Sequence, residues 1–320
     1  MNIAIVGATG LVGKTVLSIL KQRNFPINSL FLLASEKREE ILSLADFDWE
    51  KNAVDIAFFC VGNDLSLHYA PIARDSGCVV IDNSSAFRYH DNVPLIVPEV
   101  NGDILPSGFL LTSRRSSRRL PSIIIANPNC STIQMLLVLA PIHKIVGIKR
   151  VIVSTYQAVS GAGQALMETL ENGEKTASSI HANVIPQIDV LQENGYSREE
   201  MKMLWESRKI LNAPNLLLSA TAVRVPVMNA HSEAVTVETE SPFNVAEAIQ
   251  CLKNKPGLIV SEDRWITPKE VSGYDEVFVS RIRQDLAFGE YGLSFWIVAD
   301  NLRKGAALNA VQIAEIFSGK

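Results

Sequence analysis

Asn2-Ile3-Ala4-Ile5-Val6-Gly7-Ala8-Thr9-Gly10-Leu11-Val12-Gly13 decides the fold of the first half of the chain. An apolar run ends on a glycine, two more glycines follow at three-residue spacing, and a helical pattern over 11–23 begins at once. Glycines at a strand-to-helix turn let the backbone come close to a ligand. The first N–H groups of the helix, at the positive end of its dipole, attract an anion such as a pyrophosphate. The spacing is G-x-x-G-x-x-G rather than G-x-G-x-x-G, but its place between strand and helix predicts a dinucleotide site. Apolar runs at 29–34, 54–61, 78–82 and 122–126 read as further buried strands, with a helical pattern at 64–75. This is the βαβ rhythm of a doubly wound parallel sheet.

Beyond about residue 148 the rhythm changes. Strands are expected at 149–156, 216–227 and 234–240, the last with clear alternation, and helices at 162–172, 197–211 and 244–254. That mixture predicts a second, α+β domain, and 301–318 reads as a closing helix. The expected division is 1–129 plus 302–320 for the first domain and 130–301 for the second.

Bulk properties narrow the function. The chain has 320 residues, 47% of them hydrophobic and 20% charged, the balance of a soluble enzyme. A net charge of -4 gives no reason to expect nucleic acid. Four arginines crowd Ser113-Arg114-Arg115-Ser116-Ser117-Arg118-Arg119, and a solvated loop suits them better than a phosphate or RNA contact. Cys60, Cys78, Cys130 and Cys251 are scattered, so neither a metal site nor a disulfide framework is expected. No apolar stretch is long enough to span a bilayer and no basic leader is evident, so residence in the cytoplasm away from membranes is the expectation.

Cys130 carries the chemistry. In Ile123-Ile124-Ile125-Ala126-Asn127-Pro128-Asn129-Cys130-Ser131-Thr132-Ile133-Gln134 it stands where an apolar strand gives way to a helix. A helix start favours the thiolate, and a thiolate is a nucleophile toward carbonyl and acyl groups. Backbone N–H groups near the start of the Ser131 helix are candidates to stabilise an oxyanion. At the end of the second strand, Ser35, Lys37 and Arg38 suit the 2′-phosphate of NADP, while Glu36 is the acidic residue an NAD site would want. Gln157-Ala158-Val159-Ser160-Gly161-Ala162-Gly163 runs from a strand into a small-residue turn that admits a flat ligand. Arg224 stands within an apolar strand, where a charge needs an anion, and His231 follows seven residues later as a group able to exchange protons near neutral pH.

Together these residues resemble the aspartate-β-semialdehyde dehydrogenase family. The resemblance runs through G-A-T-G-L-V-G at 7–13, D-N-S-S-A-F-R at 82–88, V-P-L-I-V-P-E-V-N at 93–101 and N-P-N-C-S-T-I-Q at 127–134. It continues through S-T-Y-Q-A-V-S-G-A-G at 154–163, I-P-Q-I-D at 185–189, E-E-M-K at 199–202, R-V-P-V at 224–227, H-S-E at 231–233 and D-N-L-R-K-G-A-A at 300–307. It implies an N-terminal Rossmann-type domain and a second domain that carries catalysis and the contact of a homodimer or homotetramer. The implied reaction interconverts L-aspartyl-4-phosphate and L-aspartate-4-semialdehyde with NADP and phosphate, through a cysteine thioester, in the biosynthesis of lysine, methionine, threonine and diaminopimelate. Residue by residue, the resemblance makes Cys130 the nucleophile, His231 its acid/base partner and Gln157 the group that positions substrate. Glu199 and Arg224 are implied to hold the amino-acid head, Arg88 and Lys202 to bind phosphate. Gly7, Thr9, Gly10, Leu11, Val12, Ser35, Lys37, Arg38, Ser160, Gly161 and Asn301 are implied to contact NADP.

The chain departs from the family pattern in three places: the segment between Lys37 and Asp55 is short, 172–185 is short, and 104–121 looks inserted. Reductases of other acyl groups, such as N-acetylglutamyl phosphate or malonyl-CoA, are the competing enzymes, and E-E-M-K with R-V-P-V argues for a free α-amino acid instead. A non-catalytic scaffold would be expected to lack the thiol and its partners.

Overall fold

Strand β1 (Asn2–Val6) is buried on both faces because it runs near the middle of a parallel sheet. The computed structural model describes residues 1–36, 40–105, 120–173 and 179–319. These fall into two units, Met1–Pro128 with Ala306–Lys320, and Asn129–Gly305. In the first, β1 is followed by α1 (Leu11–Gln22), β2 (Ser29–Ala34), β3 (Leu42–Ser43), β4 (Ile56–Phe59), α2 (Asn63–Asp75), β5 (Val79–Asp82), α3 (Pro98–Asn101) and β6 (Ile123–Ala126). Among the described residues these strands form a six-stranded sheet in the order β3-β2-β1-β4-β5-β6, every neighbouring pair parallel. The order reverses between β1 and β4, and the glycine turn stands at the carboxyl end of β1, where doubly wound sheets bind ligands.

The core of this unit joins Ile3, Ile5, Ile56, Phe58, Val79 and Ile81 of the strands to Val16, Ile19 and Leu20 of α1. The C-terminal helix Leu308–Ser318 closes it with Leu308, Val311 and Phe317. Arg23 pins that helix to α1 by donating to both oxygens of Glu315, at 2.7 and 2.8 Å.

The second unit opens with α4 (Cys130–Val146) and continues through β7 (Ile148–Gln157), α5 (Gln164–Asn172), α6 (Arg198–Ile210), β8 (Leu217–Arg224) and β9 (His231–Thr239). Then come α7 (Val245–Leu252), β10 (Leu258–Val260), α8 (Pro268–Val271), β11 (Val277–Gln284) and β12 (Gly292–Ala299). Its described strands make a six-stranded mixed sheet, β10-β11-β12-β9-β7-β8, parallel at β7/β8 and β10/β11 and antiparallel elsewhere. Helix α4 lies across the sheet against β7, β9, β11 and β12, and Ile133 and Met135–Leu139 are buried there.

Several expectations change. Strand β8 ends at Arg224, before Pro226, which has no N–H for a ladder. Strand β9 starts at His231 rather than residue 234. The closing helix is not continuous over 301–318: Arg303–Ala307 is a π-helical turn, with Gly305 N–H donating to Asp300 O at 3.1 Å, before the α-helix begins. Strands β3, β10, β11 and β12 were not expected. Lys37, Arg38 and the arginines at 114–119 lie outside the described residues. Among the described residues no helix is long and apolar enough to cross a membrane.

Candidate active site

Cys130 is the first residue of α4, and Asn129 is its N-cap. Asn129 Oδ1 accepts from Ser131 N–H at 3.0 Å and Thr132 N–H at 3.2 Å. This spends two of the donors that were expected to meet an oxyanion. The thiol still sits at the positive end of a long helix, which favours its anion. Gly305 makes room for it: a Cβ built on Gly305 would stand 2.9 Å from Cys130 Cβ. The other thiols are poor nucleophiles. Burial pushes Cys78 up to about 12 and raises Cys60 and Cys251 as well.

Gln157, at the end of β7, is buried and its amide is spoken for. Nε2 stands 3.0 Å from Ser131 Oγ and 3.3 Å from both Thr155 Oγ1 and Glu199 Oε1. Glu199, in the first turn of α6, accepts from Asn129 Nδ2 at 2.8 Å and Lys202 Nζ at 2.9 Å. Burial alone would raise its carboxyl, but Lys202, Asn129 and Gln157 outweigh burial and hold it below the usual range, as a carboxylate. Lys202 also donates to Asp189 at 2.9 Å, so it sits between two carboxylates. Burial opposes its charge, yet Glu199 and Asp189 outweigh that and raise its affinity for the proton.

Arg224 is only 7% exposed and donates to Ala158 O at 2.7 Å. It feels the charges of Cys130 and Glu199. His231 is fully buried, and its Nδ1 accepts from Ala158 N–H at 3.0 Å. A nitrogen that accepts from a backbone N–H carries no proton, so the neutral ring is protonated at Nε2. Burial first, and Arg224 second, push its pKa down to about 3, so the ring is neutral at physiological pH. A Cβ on Gly161 would meet Arg224 Nη1 at 3.1 Å and His231 Nε2 at 3.2 Å, so both donors face the space over that glycine. Ser160 and Asn301 are buried and bonded to each other, Asn301 Nδ2 donating to Ser160 Oγ at 3.0 Å. Asn301 Oδ1 also accepts from Ala230 N–H at 3.0 Å, which steadies the turn that leads into His231.

The second unit thus brings together Cys130, Gln157, Glu199, Lys202, Arg224 and His231, with Ser160, Gly161 and Asn301 alongside. Sequence reasoning missed Asn129, Asp189, Glu206 and Gly305. The signals were an asparagine just before a helix start, acidic residues seven apart on one helix face, and a glycine within a helical pattern.

In the first unit Gly7 N–H and Ala8 N–H both donate to Leu33 O, at 2.8 and 3.1 Å. Gly7 has φ +84°, and a Cβ there would stand 2.3 Å from Cys60 O. A Cβ on Gly13 would stand 2.3 Å from Gly7 O, so this glycine lets α1 pack on the turn. Thr9 and Gly10 are exposed at the start of α1, with Leu11 and Val12 half-buried behind them. Ser35 and Glu36 are exposed at the end of β2. Arg88 is 6% exposed and donates to Asn83 O at 2.9 Å. Beside it, Asp82 accepts from Ser66 Oγ at 2.8 Å and Ser84 Oγ at 2.7 Å. Burial raises the Asp82 carboxyl, against the pull of those bonds and of Arg88. Among the described residues no cluster of His, Cys, Asp or Glu is placed to hold a metal ion.

Comparison with known proteins places the chain in a family. The family model described as semialdehyde dehydrogenase, NAD binding domain, matches residues 2–106, and the one described as semialdehyde dehydrogenase, dimerisation domain, matches 139–304. The chain is 47% identical to the aspartate-semialdehyde dehydrogenase of Aquifex aeolicus, covering 99% of this chain and 97% of that one. It is 46% identical to the Legionella pneumophila protein of the same name, covering 99% and 95%. Among solved structures it resembles aspartate semialdehyde dehydrogenase II of Vibrio cholerae, described as complexed with ASA, with a TM-score of 0.90, 44% identity and 98% and 97% coverage. The Candida albicans enzyme, described as solved with NADP, matches with a TM-score of 0.75 at 25% identity, covering 98% and 97%.

Proposed function

Because the chain belongs to the aspartate-semialdehyde dehydrogenase family, we propose that it reduces L-aspartyl-4-phosphate to L-aspartate-4-semialdehyde, reversibly, for amino-acid biosynthesis. The observation that carries this reading is Cys130 at the start of α4, in electrostatic reach of Arg224 and next to Asn129, which donates to Glu199.

Arg224 takes the α-carboxylate of the substrate and the Glu199 carboxylate takes its ammonium, the pair a free amino acid requires. An N-acylated substrate would offer Glu199 no cation. Lys202 holds Glu199 in place and meets phosphate, and within the first unit Arg88 is a cation of the same phosphate-binding kind. The Cys130 thiolate attacks the acyl carbon, the C–O bond to phosphate breaks, and phosphate leaves with the electron pair, giving a thioester. His231 Nε2–H is the donor for the carbonyl oxygen, replacing the α4 donors taken up by Asn129. This narrows the expected acid/base role: a ring protonated at Nε2 donates there and takes up no proton.

The first unit fits a dinucleotide. Gly7 and Gly13 stand where a Cβ would clash, and Thr9–Val12 open α1 with N–H groups at the positive end of its dipole. Gly7, Thr9, Gly10, Leu11 and Val12 hold its phosphates, and Ser35 with Lys37 and Arg38 selects NADP over NAD. In the second unit, Ser160, Gly161 and Asn301 are the residues suited to a nicotinamide, as a small-residue turn admits a flat ring. When bound, the nicotinamide supplies the hydride that reduces the thioester carbonyl. Cys130 then leaves as thiolate, a good leaving group that needs no proton, and the semialdehyde is released.

The active protein is a homodimer or a homotetramer. The outer face of the second sheet supports this, since Ile152 (46%), Tyr156 (36%) and Leu217 (46%) are exposed along it and the ring of Trp296 lies 5.6 Å from that of Tyr156. The reaction is tested by phosphate-dependent reduction of NADP with aspartate semialdehyde. Wild type should turn over only with phosphate present, and Cys130→Ser should be inactive. Turnover without phosphate, or without the thiol, would overturn the reading.

A further inference from the structure

Glu206 is a buried carboxylate that the reaction above leaves unused. It is 0% exposed, and its Oε2 accepts from Asn129 N–H at 2.6 Å. Glu206 lies seven residues after Glu199, two turns along α6 on the same face. Two carboxylates of one helix therefore hold one asparagine, Glu206 by its backbone and Glu199 by its side chain.

This arrangement does more than cap α4. Asn129 Oδ1 meets the N–H groups of Ser131 and Thr132, and Glu206 takes the one donor that side chain leaves over on its own residue, the Asn129 N–H. The N–H that Glu206 takes belongs to the N-cap, the residue just before the nucleophile. Fixing it fixes the peptide plane of Asn129, and with it the direction in which Cys130 leaves the turn. A buried carboxylate costs desolvation, and an apolar side chain of its size would leave the Asn129 N–H without an acceptor. Packing alone therefore gives no reason for Glu there, whereas its bond at 2.6 Å to the Asn129 N–H does.

We propose that Glu206 is a positioning residue, which aims the Cys130 thiolate by holding the Asn129 N–H and touches neither substrate nor cofactor. The proposal rests on Cys130 being the nucleophile. Three variants separate it from a structural role. E206M keeps the volume but has no acceptor for the N–H. E206D keeps the charge but withdraws it by one methylene. E206Q loses the charge and keeps an oxygen in place.

Two readouts are taken on folded protein: steady-state kinetics with aspartate semialdehyde, phosphate and NADP, and the rate at which iodoacetamide alkylates Cys130, read by mass of its peptide. The alkylation arm needs no substrate, so it tests Glu206 even if the proposed reaction is wrong. E206M and E206D are expected to lower kcat at least about tenfold with KM values within about twofold, and to change the alkylation rate alongside. E206Q should stay within about threefold of wild type in both. E206M is expected to lower the melting temperature, because the buried Asn129 N–H loses its acceptor, and should E206M fail to fold, E206D carries the test. Wild-type kcat and alkylation in E206D or in folded E206M would overturn the proposal, as would E206Q losing as much as E206D, or a loss seen only in KM.

Discussion

His231 meets Ala158 N–H through Nδ1, and its ring is fully buried beside Arg224. Its folded pKa of about 3 lies below the unfolded value of 6.5, so the unfolded chain binds the extra proton between those limits. The stability tied to the neutral ring is fully present above pH 6.5 and is lost as pH falls toward 3. Denaturant titrations across that window should show wild type losing stability faster than His231→Gln. Glu233, fully buried beside Gln134, acts in the opposite sense. Burial holds its carboxyl well above 4.5, so it favours the fold below that pH and less as pH rises, and Glu233→Gln should gain stability relative to wild type toward alkaline pH. Gly305 tests the space around the thiol. In Gly305→Ala the new Cβ falls 2.9 Å from Cys130 Cβ, and neither atom can move without backbone. The expected cost is about 1–3 kcal/mol of stability from overpacking, with kcat down about tenfold or more as the nucleophile is displaced.

At the scale of elements, α4 is the part that joins fold to chemistry. Asn129→Ala removes its cap, at an expected cost of about 1 kcal/mol in unfolding free energy, and frees Glu199 from one of its donors, so kcat should fall by more than stability alone accounts for. How legible the elements were in sequence follows from their surroundings. Strands β1, β4, β5 and β6 stood out because a parallel sheet covered on both faces needs continuous apolar runs. The turn at Gly7–Gly13 stood out because its glycines answer steric demands. Strand β11 was hidden because Arg281 and Arg283 interrupt its pattern, and Arg281 has φ +52° at the register break opposite β12. Strand β3 has two residues, too few for any periodicity. In the site, Cys130, Arg224 and His231 were legible because each is costly or reactive where it stands. Glu206 and Asp189 were not, because their partners are far away in sequence and an acidic residue on a helix or loop is usually solvated.

For the whole molecule, the family models divide the chain into a stretch matching a nucleotide-binding domain and one matching a dimerisation domain, as its two sheets do. The alignment to the Aquifex relative runs over 343 positions against the 320 residues of this chain, so that relative has residues with no counterpart here. Cys130, Gln157, Glu199, Arg224 and His231 are all retained in the shorter chain. If the outer face of the second sheet joins two copies, Ile152→Glu should shift the protein toward monomer in sedimentation while leaving it folded. The claim on which all else rests is that an acyl group passes through Cys130. Enzyme mixed with aspartate semialdehyde and NADP but no phosphate, quenched in acid and digested, should yield the Cys130 peptide bearing an aspartyl thioester that disappears when phosphate is added before the quench. An unmodified Cys130 peptide under those conditions, with NADP nonetheless reduced, would contradict the account.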